Sequence, residues 1–478
     1  MSIARSIGRG ASFGQSNTAS TFSSTIAGGT GNCINGALAF IGGGGGNLAS
    51  GIGATIGGGC DNTAYGTFVF VGGGRLNSAF NCNSTVGGGF RNRASSMGAT
   101  VGGGCCNTAY GNLSFIGGGS YNITCGMNTT IGGGYCNTAC GMNTIIGGGF
   151  RNRACCIGTT VGGGCCNTAY GDYATVGGGY SNAACGCNAI IGGGFYNRAS
   201  CVGATVAGGT GNLAEGCGAK IGGGLGNIAC CDSATIGGGC CNCAAGNFST
   251  VVGGCQNFVC GNFGFIGGGG RNCACGVAAI IGGGCNNCAI GDNTIIGGGA
   301  RNIACCSNST VGGGCCNRAA CCGATVGGGC CNAACGNFSF IGGGCSNTSF
   351  GCGATVGGGC CNSASGIFSN IGGGASHCAF GNYSYIPGGR CSVIQSSHSG
   401  AAILGDGQNR AHNSSGPHTL TLDFISGTYI KNKIIFQGDN YIPSQSTSFG
   451  ISGQIAYDTN YHYRHDGIKW KRTALAEW

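Results

Sequence analysis

The sequence predicts an all-β fold, a parallel β-solenoid with fifteen-residue coils, and three observations predict it. An Ile or Val recurs every 15 residues from Ile26 to Ile386, at 25 positions, without one insertion or deletion. Within each unit the apolar residues alternate with the period of short strands. Gly makes up 114 of 478 residues, while Pro numbers 3 and charged residues 6%. That balance excludes collagen, which needs Gly at every third residue. It also excludes a disordered tract, which is charge-rich and apolar-poor.

The elements of one unit follow in order. In "ATVG" (99–102) Ala99 and Val101 face inward and Thr100 outward. The glycine triplet Gly102–Gly104 suits a turn that needs positive φ or close backbone approach. Six residues past each apolar mark stands Asn, as at Asn32, Asn47, Asn62, Asn107, Asn167 and Asn332. This column suits either an αL turn or a side-chain amide ladder. A structural role is the expectation and a ligand column the alternative. In "NTAYG" (107–111) Ala109 faces inward, with Thr108 and Tyr110 outward. Two short strands and two turns fill the unit, and a coil stacked on its neighbour is the economical solution. Strict spacing follows, because one extra residue would turn core side chains outward. At roughly 4.8 Å per coil, 25 coils make a rod of about 120 Å. "FRNRA" at 90 and again at 150, each followed by "VGGGCCNTAYG", marks a four-coil block copied as a whole.

This reading divides the chain into an attachment or capping segment (1–25), a shaft (26–392) and a C-terminal β cap or tip (393–478). In the last region "LTLDF" (420–424), "KIIFQG" (433–438) and "GQIAYD" (453–458) read as strands. Tyr457, Tyr461, Tyr463 and Trp470 are candidate receptor contacts, with core or interface packing as the plainer reading. His462 and His465 could meet around a three-fold axis.

Each coil buries one Ile or Val and a few small residues, so side-by-side packing of several rods is expected. The column before each mark mixes Thr with Phe (Thr25, Phe40, Thr55, Phe70, Thr85, Thr100, Phe115) and is the candidate face.

All 42 cysteines fall between Cys33 and Cys391, in turn or outward columns. The opening "MSIARSIGRGASFGQSNTAS" has no apolar core of a secretory signal, so reduced thiols are the expectation. Cysteines at equal positions in adjacent coils would nonetheless lie within bridging range. Cys315, Cys330, Cys345 and Cys360 form the candidate ladder. The vicinal pairs such as Cys105/Cys106 are not zinc knuckles, and neither metal nor cofactor is expected.

No basic stripe suggests nucleic acid, and no apolar run reaches membrane-spanning length. Polysaccharide-cleaving solenoids need paired carboxylates. The shaft acids are Asp61, Asp172, Glu215, Asp232 and Asp292, and Asp172 and Asp232 lie four coils apart. Their scatter, with no nucleophile elbow or phosphate loop, points to a protein that is not an enzyme.

Units such as "GATVGGGCCNTAYG" (98–111) and "NTTIGGGYCNTACG" (128–141) resemble the head repeats of trimeric autotransporter adhesins. Those repeats read approximately S-V-A-I-G-x-x-S-x-A-x-G. The present unit adds a residue in the first turn and carries Asn in place of Ser. Similar glycine-triplet units occur in tail-fibre and surface-fibre proteins of phages and large viruses. "GQIAYDTNYHYRHDGIKWKRTAL" (453–475) is similar to the closing module of such fibres. The resemblance implies a left-handed β-roll in a homotrimer. It implies a structural fibre of a virion or phage tail, assembled in the host cytoplasm. Its partners would be other virion or tail proteins and a host receptor or glycan, without membrane insertion. A bacterial surface adhesin is the alternative, for which signal, stalk and anchor are the features to find. An ice-binding face is a remote alternative, because Phe40, Phe70, Phe115, Phe265 and Phe340 interrupt the Thr column.

Overall fold

The computed structural model describes residues 10–405, 412–423, 455–457, 461–465 and 470–474. The chain divides into two units, Met1–Asp423 and Phe424–Trp478. The first is a parallel β-solenoid of about 27 turns, and the described residues contain no helix.

Three parallel ladders run along the winding. The first joins Thr100–Val101 to Thr85–Val86 on one side and to Phe115–Ile116 on the other. The second joins Thr108–Ala109 to Arg93–Ala94 and Ile123–Thr124. The third is a chain of single bridges through the first turn, Phe90 to Cys105 to Ser120 and onward. Partners are 15 residues apart in each case.

The core follows from the alternation. Ala99, Val101 and Ala109 are fully buried, while Tyr110 is 49% exposed. One side of the core is polar. The Asn column from Asn32 to Asn362 is buried, and the hydrogen bonds explain how that is tolerated. The Oδ1 of Asn92 accepts the backbone N–H of Asn107 at 3.0 Å. The Nδ2 of Asn107 donates to the carbonyl of Gly103 in its own turn at 2.9 Å. It also donates to Gly119 in the next turn, at 2.8 Å. One amide thus ties its own turn to the coil above, and repetition makes a continuous ladder.

The left-handed conformation lies elsewhere. In this coil it falls on Cys106 (φ 57°), just before the Asn, and on Leu113 (φ 54°) in the second turn. Most coil amides point toward the following coil. These two point back, Cys106 N–H to Phe90 and Leu113 N–H to Met97, both at 2.8 Å. Positive φ reverses the peptide there, so the chain bonds in both directions.

The glycine triplet divides its labour, as 162–164 shows. A Cβ on Gly162 would sit 2.3 Å from the Gly177 carbonyl oxygen. On Gly164, with φ +84°, it would sit 2.2 Å from that of Gly179. Gly163 faces open space.

The winding extends beyond the expected 26–392 on both sides. Ala11–Ser12 already pairs with Thr25–Ile26, 14 residues on. After Ile386 the ladders continue but the coils lengthen. Tyr385 pairs with Ala402, Ser392 with His412, and Ala402 with Leu420. The expected strand at 420–424 is thus Leu420–Asp423, bonded in parallel to Ala402–Gly405. Both strands lie in the first unit.

In the second unit, Ile455–Tyr457, Tyr461–His465 and Trp470–Ala474 form a three-stranded antiparallel sheet. The expected strand at 433–438 lies outside the described residues.

Candidate functional site

Among the described residues the outward columns carry the charged, aromatic and thiol side chains that vary from coil to coil, whereas the inward ones vary mainly among Ala, Val, Ile, Ser and Thr beside the Asn column. On the first ladder, Thr alternates irregularly with exposed Phe40, Phe70, Phe115, Ile145, Ile190 and Phe340. A column of glycines lies beside it (Gly42, Gly57, Gly72), so this sheet face is smooth and partly apolar.

The acids are largely structural. Asp172 Oδ1 accepts the backbone N–H of Ile157 in the preceding coil at 3.1 Å. Asp232 does the same for Cys217 at 2.9 Å, and Asp292 for Val277 at 2.8 Å. These three stand 60 residues apart, one per four-coil block. Asp61 lies beside Cys60, with 3.2 Å between Sγ and Oδ2. Glu215 is exposed in another coil.

The arginines of the "FRNRA" blocks lie on aromatic rings. The Arg93 guanidinium sits 4.4 Å from the Phe80 ring centroid and 5.9 Å from that of Tyr110. Arg153 sits 5.7 Å from Tyr170. Such contacts contribute about 0.5–1 kcal/mol each at exposed sites.

The thiols occupy three strips: the first turn, the flanks of the second strand, and the second turn. The third ladder brings Cys315, Cys330, Cys345 and Cys360 into direct register on consecutive coils, and all four are free thiols. Within a turn the vicinal sulfurs touch, at 3.4 Å for Cys315/Cys316 and for Cys330/Cys331. The hydrogen bond from Cys330 to Cys331 pushes the Cys330 pKa up to about 11. Burial pushes Cys125 up to about 12. Such thiols stay protonated near neutrality and are weak nucleophiles.

Disulfides occur at positions the sequence reading did not single out. Cys201 is bonded to Cys217 and Cys260 to Cys275, with Cα separations of 4.9 and 4.7 Å. Each joins adjacent coils. Beside the second bond, Cys273 Sγ lies 3.2 Å from Cys275 Sγ. Cys273 also faces Cys288 across the second ladder. A hydrogen bond from Cys288 outweighs burial and lowers the Cys273 pKa to about 7. The signal was available: Cys273 and Cys275 flank a buried Ala, so they share one outward face, and Cys260 and Cys288 lie one coil away on either side.

Tyr457, Tyr461, Tyr463 and Trp470 all fall on the antiparallel sheet. Tyr457 is opposite His462, Tyr463 opposite Ala456, and Trp470 opposite His465. Among the described residues no group of three or more His, Cys, Asp or Glu is placed to hold a metal ion. No helix there is long and apolar enough to cross a membrane.

No known protein family matches the chain, and no curated protein matches it.

Proposed function

We propose that the chain is the shaft of a non-enzymatic structural fibre, a homotrimer of left-handed coils carried by a virion or phage tail for host attachment. One observation carries the reading: the parallel ladders continue coil after coil for about 27 turns without a break. A column bonded in this way resists bending at every coil, and reach and stiffness are what a shaft supplies. The shaft acids support it, since three of the five bond to backbone amides of a neighbouring coil. The smooth Thr/Phe/Ile face supports lateral packing of copies, because exposed apolar side chains there would be covered. The second unit serves as cap or tip, with Tyr457, Tyr461, Tyr463 and Trp470 as contacts to a host receptor or glycan. The other end meets further virion or tail proteins.

The test joins two measurements on the full chain. Light scattering should give a mass near three times 46.3 kDa. Negative-stain images should show rods of about 130 Å at ~4.8 Å per coil. Gold-labelled antibody should then decorate particles. A monomeric mass sinks the trimer, and label on bacterial cell surfaces in place of particles moves the reading to an adhesin.

A further inference from the structure

We propose that Cys260, Cys273, Cys275 and Cys288 form a disulfide relay, in which the bond between Cys260 and Cys275 moves one coil along the shaft to Cys273 and Cys288. The four lie on three consecutive coils. Cys260 and Cys275 occupy one outward column and Cys273 and Cys288 the column two residues earlier. The bond is made across the first pair. The second pair is reduced and in direct ladder register. Cys273 and Cys275 flank Ala274, whose side chain is in the core, so both sulfurs emerge on the same face, 3.2 Å apart. All four side chains are half-buried. Phe258 precedes Cys273 in its ladder and Ile303 follows Cys288, which brackets the thiols with apolar side chains.

The chemistry closes without an external oxidant. The Cys273 thiolate attacks Cys275 Sγ. A Cys273–Cys275 bond forms, the Cys260–Cys275 bond breaks, and Cys260 leaves as the thiolate and takes up a proton. Cys288, giving up its proton, then attacks Cys273 Sγ. A Cys273–Cys288 bond forms, and Cys275 leaves and is protonated. One disulfide and two thiols are present before and after. The lowered pKa of Cys273 suits it to the first attack, since the best attacking thiol titrates near ambient pH. The high pKa of Cys288, raised by its hydrogen bond to Cys273, keeps the proton on Cys288 until Cys273 is consumed. The staple can therefore migrate between coil pairs while the number of staples stays constant.

The chain supplies its own readout. Trypsin cuts after Lys220, Arg271 and Arg301, so Cys260 falls in one peptide and Cys273, Cys275 and Cys288 in the next. The Cys260–Cys275 bond links two peptides, and the Cys273–Cys288 bond lies within one. Full-length protein is held at pH 8 without oxidant, quenched with acid, alkylated and mapped by mass spectrometry over 24 hours. The expected result is loss of the inter-peptide link with an equal gain of the intra-peptide link at constant total thiol. Cys273→Ser should slow that loss at least about tenfold. Cys288→Ser should stop the exchange at the Cys273–Cys275 bond with Cys260 free. Cys285→Ser, in the same peptide but the first-turn column, should leave the rate unchanged. Equal rates in the wild type and Cys273→Ser, or an inter-peptide link that persists in the wild type, overturn the relay.

Discussion

The middle of the shaft and its two ends are built from the same ladders, yet only the middle keeps time. From Thr18 to Ala379 successive partners on the second ladder are 15 residues apart. At the start, Ala11 pairs with Thr25 after 14. At the far end the intervals become 17, 20 and 18. At the far end the difference coincides with the end of the amide column, whereas the 14-residue interval at the start already contains Asn17. Asn17 is the first member of the ladder and Asn362 the last Asn. His377 imitates one more rung, its Nδ1 accepting the Ser392 N–H at 3.1 Å. Ser392 ends the series, and the coil is then free to lengthen. Backbone pairing alone holds coils together, whereas the amide measures the turn, because it must reach its own Gly carbonyl and the next one at once.

Breaking the clock in the middle should have the largest effect. One Gly inserted between Gly163 and Gly164 displaces the Asn167 amide from the Gly163 carbonyl and its N–H from Asn152, and should open the adjacent coils, a local loss of about 4 kcal/mol or more. The same insertion between Ser396 and Ser397, in a coil already lengthened, should cost about 0.5 kcal/mol or less. Hydrogen exchange resolved along the chain compares the two. Gly164→Ala should approach the severity of the first insertion, while Gly163→Ala, one residue away, should be nearly silent in the same measurement. Equal effects would remove the division of labour within the triplet.

Asn227→Ala should come next. It leaves the Asn242 N–H without its acceptor and the Gly223 carbonyl without its donor, while the Gly239 carbonyl keeps only the Leu225 N–H. At about 1–3 kcal/mol per buried unsatisfied group, the two groups give an expected local loss of about 2 kcal/mol or more. Limited proteolysis should report new cleavage between 223 and 242.

The smallest effect sharpens the comparison from the other end. Burial lowers the His377 pKa from the ordinary 6.5, against a hydrogen bond from the imidazole to the Gly389 carbonyl, and His412 adds to the lowering. As pH falls through 6.5 the unfolded chain takes up the proton before the folded one does. The His377 contribution is therefore complete above 6.5 and declines on acidification. Exchange protection of the coils around 377–392 should fall between pH 7 and 5 while mid-shaft coils hold steady. His377→Asn should abolish that difference, and an unchanged pH profile in the variant would assign the effect elsewhere.

The repeat was legible at almost every inward position. Ala99, Val101 and Ala109 are where period-two alternation puts them, because a side chain in a short strand has only two faces to choose from. The Asn column was legible as a fixed element with two geometries open, an αL turn or an amide ladder, and the coils take the ladder. The αL residue is its predecessor, Cys106 or Asp61, a site that also accepts Arg91 and Leu76 and so leaves no compositional mark. The extent of the winding was misread because Ala402 and Leu420 pair at intervals no single period contains. The bonded cysteines escaped notice because 42 candidates share three strips, and column membership alone does not rank them.

By itself, then, the sequence determined the period, the inward set and the solenoid, since these depend on spacing along the chain and on which side chains avoid water. Only the tertiary structure decided which atoms meet between coils: the amide that spans two turns, the carboxylates spent on backbone caps, and the sulfur that lies against a neighbouring disulfide. Those contacts are set by the stacking of one coil on the next, to a fraction of an ångström, and a linear pattern carries no distance of that kind.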